Sequence, residues 1–153
     1  MENEKQEIKL KNLSDYKSKK ILQDYIKSSK SFYSSLGIDL NESIYNPKNS
    51  SLIIELQTSK KMQAYKNLIH GGVISAILDS STGVLALIKA SEKNKIILTK
   101  KLNITYLKIL NPGNHIIVKS VIKKIENQDI YIEGELFDNN RPNKIIAKAK
   151  AIV

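Results

Sequence analysis

Residues 70–83 read HGGVISAILDSSTG: a histidine and two glycines, then a run that is apolar apart from small hydroxyls and one carboxylate, Asp79. A carboxylate within an apolar helix is costly unless it is paired or hydrogen-bonded. Burial favours its protonated form and so makes the carboxylate a better base. Its structural alternative is a hydrogen bond to Ser75, Ser80 or nearby backbone. The glycines suit the other end of such a reaction. A helix opening at Gly71 and Gly72 leaves its first N–H groups without intrahelical partners. Its positive end lies there as well, so it can hold an oxygen that gains negative charge. Glycine also admits close approach of a ligand to the backbone; the plainer alternative is a tightly packed helix start. His70 stands just before these donors, where it can cap the helix or bond a backbone carbonyl.

Geometry keeps these two halves apart. His70 and Asp79 are nine residues apart on nearly one helix, or about 13 Å along its axis. Proton transfer and nucleophilic attack need contacts of about 3 Å. Two antiparallel helices related by a two-fold axis would bring Gly71 of one chain to Asp79 of the other. The expectation is therefore a homodimer, or a homotetramer built from it, with two composite sites per dimer.

The elements that must position these residues follow from periodicity. Residues 1–15 read as a charged tail. Residues 16–36 carry spaced apolar positions compatible with one amphipathic helix, with Gly37 as its stop. Residues 38–45 and 51–57 read as a strand pair around the turn Asn46-Pro47-Lys48-Asn49-Ser50. A polar, lysine-rich loop over 58–67 leads to the helix of residues 72–90, which is apolar on nearly every side and so buried all round. Strands follow over 95–110, 115–125, 130–138 and 144–153, with Asn111-Pro112-Gly113-Asn114 a clear turn. Consecutive strands pair antiparallel, so the class is α+β: a curved antiparallel sheet wrapped around one long central helix, plus an N-terminal helix. The division is a tail and helix over residues 1–35 and a main domain over 36–153.

Composition narrows the chemistry. A chain of 153 residues with 41% hydrophobic and 26% charged residues suits one globular domain with a real core. The absence of cysteine excludes disulfides, thiolate zinc sites and cysteine nucleophiles together, and fits a cytoplasmic location. The charged N-terminus has no apolar signal segment, and Asp79 argues against membrane insertion of the apolar run. The net charge of +10 suggests a polyanionic partner. Yet Arg141 is the only arginine, and Lys, Ile and Asn abound together, as A/T-rich codons would produce. A nucleic-acid reader would spend more arginine on phosphates and guanines, so nucleic acid is not the expected partner. The two histidines, His70 and His115, lack metal-ligand spacing. No phosphate-binding glycine loop is present, and no serine elbow surrounds Ser80, Ser81 or Thr82. Neither a metal nor a cofactor is expected.

With this arrangement, Asn67-Leu68-Ile69-His70-Gly71-Gly72 followed by Leu78-Asp79-Ser80 resembles the hotdog-fold acyl-CoA thioesterases of the phenylacetate-pathway (PaaI-like) type. Thr99, Leu102-Asn103-Ile104-Thr105-Tyr106-Leu107 and Asn111-Pro112-Gly113 resemble that family's next strand and turn, and the likeness runs from about Leu36 to Val153. It implies hydrolysis of an acyl- or aryl-acyl-CoA to free acid and coenzyme A. It assigns Asp79 as base or nucleophile and the Gly71 N–H as oxyanion donor. His70 would orient the carbonyl, and Thr99 would support the water or the carboxylate. Asn67, Gly72, Ser80 and Lys66 are the expected substrate contacts; Lys60, Lys61, Lys89 and Lys93 are further candidates for the coenzyme's phosphates. One departure stands out: Ala64 occupies a position where the family often has asparagine. Asn67, where the family often has glycine, can take the left-handed backbone that glycine takes easily. The alternative function is a non-catalytic acyl-CoA-binding domain that senses its ligand and acts as a regulator. A dehydratase or hydratase of the same fold would use an Asp/His pair in another arrangement.

Overall fold

The computed structural model describes residues 7–15, 19–93, 95–141 and 143–153. Residues 1–6 of the expected tail and positions 16–18 of the expected helix lie outside the described residues. Strands β1 (Ile8–Lys9), β2 (Ile44–Asn46) and β3 (Ser51–Gln57) and helix α1 (Lys19–Ser35) form the N-terminal half. A small hairpin of β4 (Gln63–Tyr65) and β5 (Leu68–Ile69) leads into helix α2 (Gly71–Ser91). Strands β6 (Lys101–Tyr106), β7 (His115–Glu126), β8 (Asp129–Asp138) and β9 (Ile145–Ile152) complete the chain. The main sheet has the order β1-β2-β3-β7-β8-β9-β6, with every neighbouring pair antiparallel. It curves around α2, which is the hotdog architecture expected from the residue pattern.

Alternation explains the wrap. In β3 Leu52, Ile54 and Leu56 point inward, in β7 Ile116 and Val118, and in β8 Ile130, Ile132 and Leu136; all are buried. They meet Ile77, Leu78, Val84 and Leu85 of α2, none of which has any exposed surface. Burial on most sides accounts for a helix with so weak a polar face. By length and apolarity α2 would also suit a membrane span, but here the sheet supplies its apolar surroundings. The sheet lies close to the helix at Gly134, where an added Cβ would lie 3.3 Å from the Ser120 hydroxyl and 3.4 Å from the Thr82 methyl. Beside it the buried hydroxyls of Ser81 and Ser120 pair at 2.7 Å, tying α2 to β7.

Three sequence expectations need correction. Residues 38–45 do not form one strand. Leu40–Glu42 is a 3-10 turn, because the Asp39 carboxylate accepts from the Asn41 N–H at 3.0 Å and closes the backbone locally. The strand expected over 95–110 is regular only over Lys101–Tyr106. Its partner β9 runs out at Ile152, which sits opposite Lys101, so the preceding residues have no strand beside them in this chain. The charged tail also joins the fold: Ile8 and Lys9 pair with Tyr45 and Ile44 at the sheet edge, and Leu10–Asp15 forms a 3-10 segment that buries Leu10 and Leu13. Lys9 and Lys11 both reach Glu42. Hydrogen bonds from Lys11 and then Lys9 hold its carboxyl down at about 2. A depressed carboxyl contributes its stabilisation above its unfolded value and loses it as pH falls through the folded value, so this clasp stays charged through mildly acid conditions.

Gly134→Val tests the close approach. Two further carbons there overpack the helix–sheet contact, with an expected loss of about 1–3 kcal/mol in chemical denaturation. An unchanged midpoint would mean that the helix does not sit this close to β8.

Candidate functional site

The segment before α2 is fixed by backbone bonds at every step. Asn67 adopts the left-handed conformation, with φ 62°, and its carbonyl accepts from the Asn111 side chain at 2.7 Å. The Ile69 N–H donates to the Leu110 carbonyl and the His70 N–H to the Met62 carbonyl, each at 2.9 Å. His70 is the N-cap residue. Its Nδ1 accepts from the Gly72 N–H at 2.8 Å, and its carbonyl accepts from Val73 and Ile74. An imidazole that accepts at Nδ1 carries its proton on Nε2. A Cβ at position 72 would lie 2.9 Å from that Nδ1, so the cap itself demands glycine there.

Capping by His70 uses the Gly72 N–H and leaves another donor free. Among the described residues, no hydrogen bond engages the Gly71 N–H. Its neighbour is Tyr106 on β6, whose ring lies 3.7 Å from where a Gly71 Cβ would be. The Tyr106 hydroxyl lies 3.2 Å from the Gly71 carbonyl oxygen and pairs with the Ser75 hydroxyl, itself 3.1 Å from that oxygen; with one proton each, one hydroxyl donates to the carbonyl and the other to its partner. Two hydroxyls thus pin the Gly71–Gly72 peptide. Contacts at 3.7 Å are ordinary packing, so nothing within one chain requires position 71 to lack a side chain.

Asp79 lies two turns further along α2 and is half-buried. Its Oδ1 accepts from the Thr99 hydroxyl at 3.0 Å. Thr99 is exposed, in the irregular stretch before β6, which is anchored where the Lys100 N–H meets the Ile152 carbonyl at 2.8 Å. Just before it, Ile96 and Leu98 are 87% and 81% exposed, apolar surface leading into β6, the last strand of the sheet.

The structure therefore groups the sequence candidates into two clusters. Asn67, His70, Gly71 and Gly72 form one, at the helix start. Asp79 and Thr99 form the other, about 12 Å along the helix from Gly71 at 1.5 Å per residue. Ser80 is buried, and its hydroxyl donates to the Ala76 carbonyl at 2.6 Å. Lys66 is exposed on the turn before β5. Ala64 sits exposed on β4 and brings no polar group; the nearby Gln63 side chain accepts from the Asn67 N–H at 3.4 Å.

Sequence reasoning missed Tyr106, Ser75 and Asn111, which hold the helix start, and a pair of tyrosines behind Asp79. Tyr33 of α1 is 3% exposed, and its hydroxyl pairs with that of Tyr25 at 2.6 Å. Burial pushes the Tyr33 phenol far above its ordinary value. The Tyr25 hydroxyl and the negative charge of Asp79 add to the rise, while a hydrogen bond with Ser80 opposes it. The phenol is accordingly a neutral dipole against the back of the Asp79–Ser80 turn. Its only sequence signal was an apolar-face position in the N-terminal helix, which reads as packing.

Solved structures share this fold. A phenylacetic acid degradation-related protein from Ralstonia eutropha JMP134 superimposes with a TM-score of 0.72 at 18% identity, covering 86% of this chain and 96% of that one. The protein smu.793 from Streptococcus mutans UA159, solved bound to acetyl CoA, gives a TM-score of 0.60 at 17% identity, covering 68% of this chain and 79% of that one. In sequence, the mouse acyl-coenzyme A thioesterase THEM4 is 26% identical over 119 residues, 78% of this chain and 49% of the mouse protein. The chain thus spans about half the length of that relative. The model of the thioesterase superfamily matches residues 66–144, which include both clusters and more than half of the chain, and the chain belongs to that superfamily.

Proposed function

We propose that the protein hydrolyses the thioester of an acyl- or aryl-acyl-CoA, releasing a carboxylic acid and coenzyme A, at sites shared between two copies of the chain. The observation that carries this reading is the pairing of an unengaged N–H at a helix start with a hydrogen-bonded carboxylate on the same helix, too far apart to serve one carbonyl. A homodimer with antiparallel α2 helices, alone or doubled into a tetramer, brings each Gly71 to the partner copy's Asp79. The exposed Ile96 and Leu98 and the unpaired edge of β6 supply surface that such a partner would cover. The acetyl CoA in the Streptococcus structure and the activity named for the mouse relative support the same substrate class. The lack of cysteine supports a cytoplasmic setting.

Each group then has one task. The thioester oxygen lies against the Gly71 N–H at the positive end of α2. Asp79, steadied by Thr99, takes a proton from water as the water oxygen attacks the carbonyl carbon. A C–O bond forms, and the carbonyl electrons move to the oxygen held by Gly71. When the intermediate collapses, the C–S bond breaks, and the thiolate of coenzyme A leaves and takes up a proton. Direct attack by the Asp79 carboxylate would form a mixed anhydride that water then cleaves. Both routes need the same geometry. His70 keeps the helix start in shape by occupying the Gly72 N–H, so that Gly71 alone faces the substrate. Asn67 sets the turn that aims this donor, and Lys66 stands where coenzyme phosphates would pass.

Free thiol release from a panel of acyl-CoAs, from acetyl to palmitoyl and including phenylacetyl, tests the reading. Wild type hydrolyses at least one, and Asp79→Asn lowers kcat by about 100-fold or more. Tight acyl-CoA binding by a wild type that hydrolyses none would instead favour the ligand-sensing role. Gly71→Pro tests the oxyanion donor. Proline at the first helical position removes the N–H while leaving the helix start intact, and His70 already has the extended backbone that a following proline requires. The expected loss in kcat is about 100- to 1,000-fold; full activity would remove Gly71 from the mechanism.

A further inference from the structure

A cavity of about 500 Å³ lies between α1 and the 3-10 segments of the N-terminal half, a size typical of small-molecule sites. Its floor is apolar. Leu10, Leu13, Leu22, Ile38 and Leu40 line it from the core, and Ile26 contributes partly exposed surface. Lys27 and Lys30 stand at its rim on α1, three residues apart and so on one side of the helix. Both are exposed, and among the described residues no carboxylate lies within ion-pair distance of either. The third rim lysine, Lys11, is already held by Glu42. The lining carboxylate, Asp39, is engaged with the Asn41 N–H. A greasy pocket with two uncommitted cations at its mouth suits a molecule with an aliphatic tail and an anionic head: methylenes gain by leaving water, and a carboxylate gains two charge-assisted contacts.

We propose that this cleft binds a free long-chain carboxylate, with its tail on the Leu22–Ile26 side of α1 and its head on Lys27 and Lys30. The site is distinct from the clusters at Gly71 and Asp79. It is not isolated from them, because Tyr33 forms part of its wall and meets Ser80 beside Asp79 on the other side. A chain in the cleft therefore touches the residue that backs the carboxylate. The proposal does not depend on thioester hydrolysis, since its readout is binding.

The test is calorimetric titration of the full chain with dodecanoate below its micelle concentration, alongside dodecanoyl-CoA and dodecyltrimethylammonium. One dodecanoate should bind per chain at this cleft. Lys27→Gln combined with Lys30→Gln should weaken it about five- to tenfold, and Ile26→Trp, which fills the cavity from its partly exposed side, should abolish it. All three positions are at least partly exposed, so the variants keep the fold. Failure of wild type to bind dodecanoate would overturn the proposal, whether or not dodecanoyl-CoA binds. Equal affinity for the trimethylammonium amphiphile would also overturn it, as would undiminished binding in either variant, which would place the ligand elsewhere.

Discussion

A straight α-helix fixes the distance between any two of its residues, and in this protein it fixes Gly71 and Asp79 about 12 Å apart. Neither end can move toward the other without unwinding a helix that the sheet grips on most sides. The separation is therefore a property of the core. Ile77, Leu78, Val84 and Leu85 bury the middle of α2 completely, and the Ser81–Ser120 hydroxyl pair and the bare backbone at Gly134 hold it against β7 and β8. Under the proposed function, a donor at one end and a base near the middle would need a second copy to complete each other.

The remaining structure serves to keep each end ready. At the start of α2, an imidazole takes the Gly72 N–H, and the paired Tyr106 and Ser75 hydroxyls hold the Gly71 carbonyl. The donor left over is Gly71's own N–H. Asp79 itself takes one hydrogen bond, from Thr99, while the buried Tyr33 meets the neighbouring Ser80. A carboxylate with one hydrogen bond and a half-open face is neither a satisfied core group nor a fully solvated one. The N-terminal segment, through α1 and Tyr33, thereby reaches the residue next to Asp79.

Much of this was legible in the residues. The apolar run around Asp79 read as a buried helix, and residues 51–57, 115–125 and 130–138 read as strands. The Asp79–Thr99 contact followed from family resemblance, and the axial distance from helix geometry alone. What escaped were interactions that carry no periodic signal. Asp39 closes a turn through its own backbone, which breaks the strand expected at 38–45. The strand expected from residue 95 fails because its neighbour β9 stops opposite Lys101, a fact of register that no local window contains. Ile8 and Lys9 look like part of a polar tail until β2 offers them an edge. Tyr33 and Tyr106 read as packing aromatics, since nothing in a sequence reveals that a phenol meets a particular hydroxyl.

The composite site is the central claim, and subunit mixing tests it most directly. Asp79→Asn and Gly71→Pro chains, each inactive as homodimers, would be unfolded together, refolded at equal concentration and assayed for thiol release. If each site takes Asp79 from one copy and Gly71 from the other, every hybrid dimer holds one intact site and one doubly damaged site. With half of the dimers hybrid, activity returns to about a quarter of wild type. If both groups act within one chain, no hybrid contains an intact site, and the mixture stays as inactive as its parents.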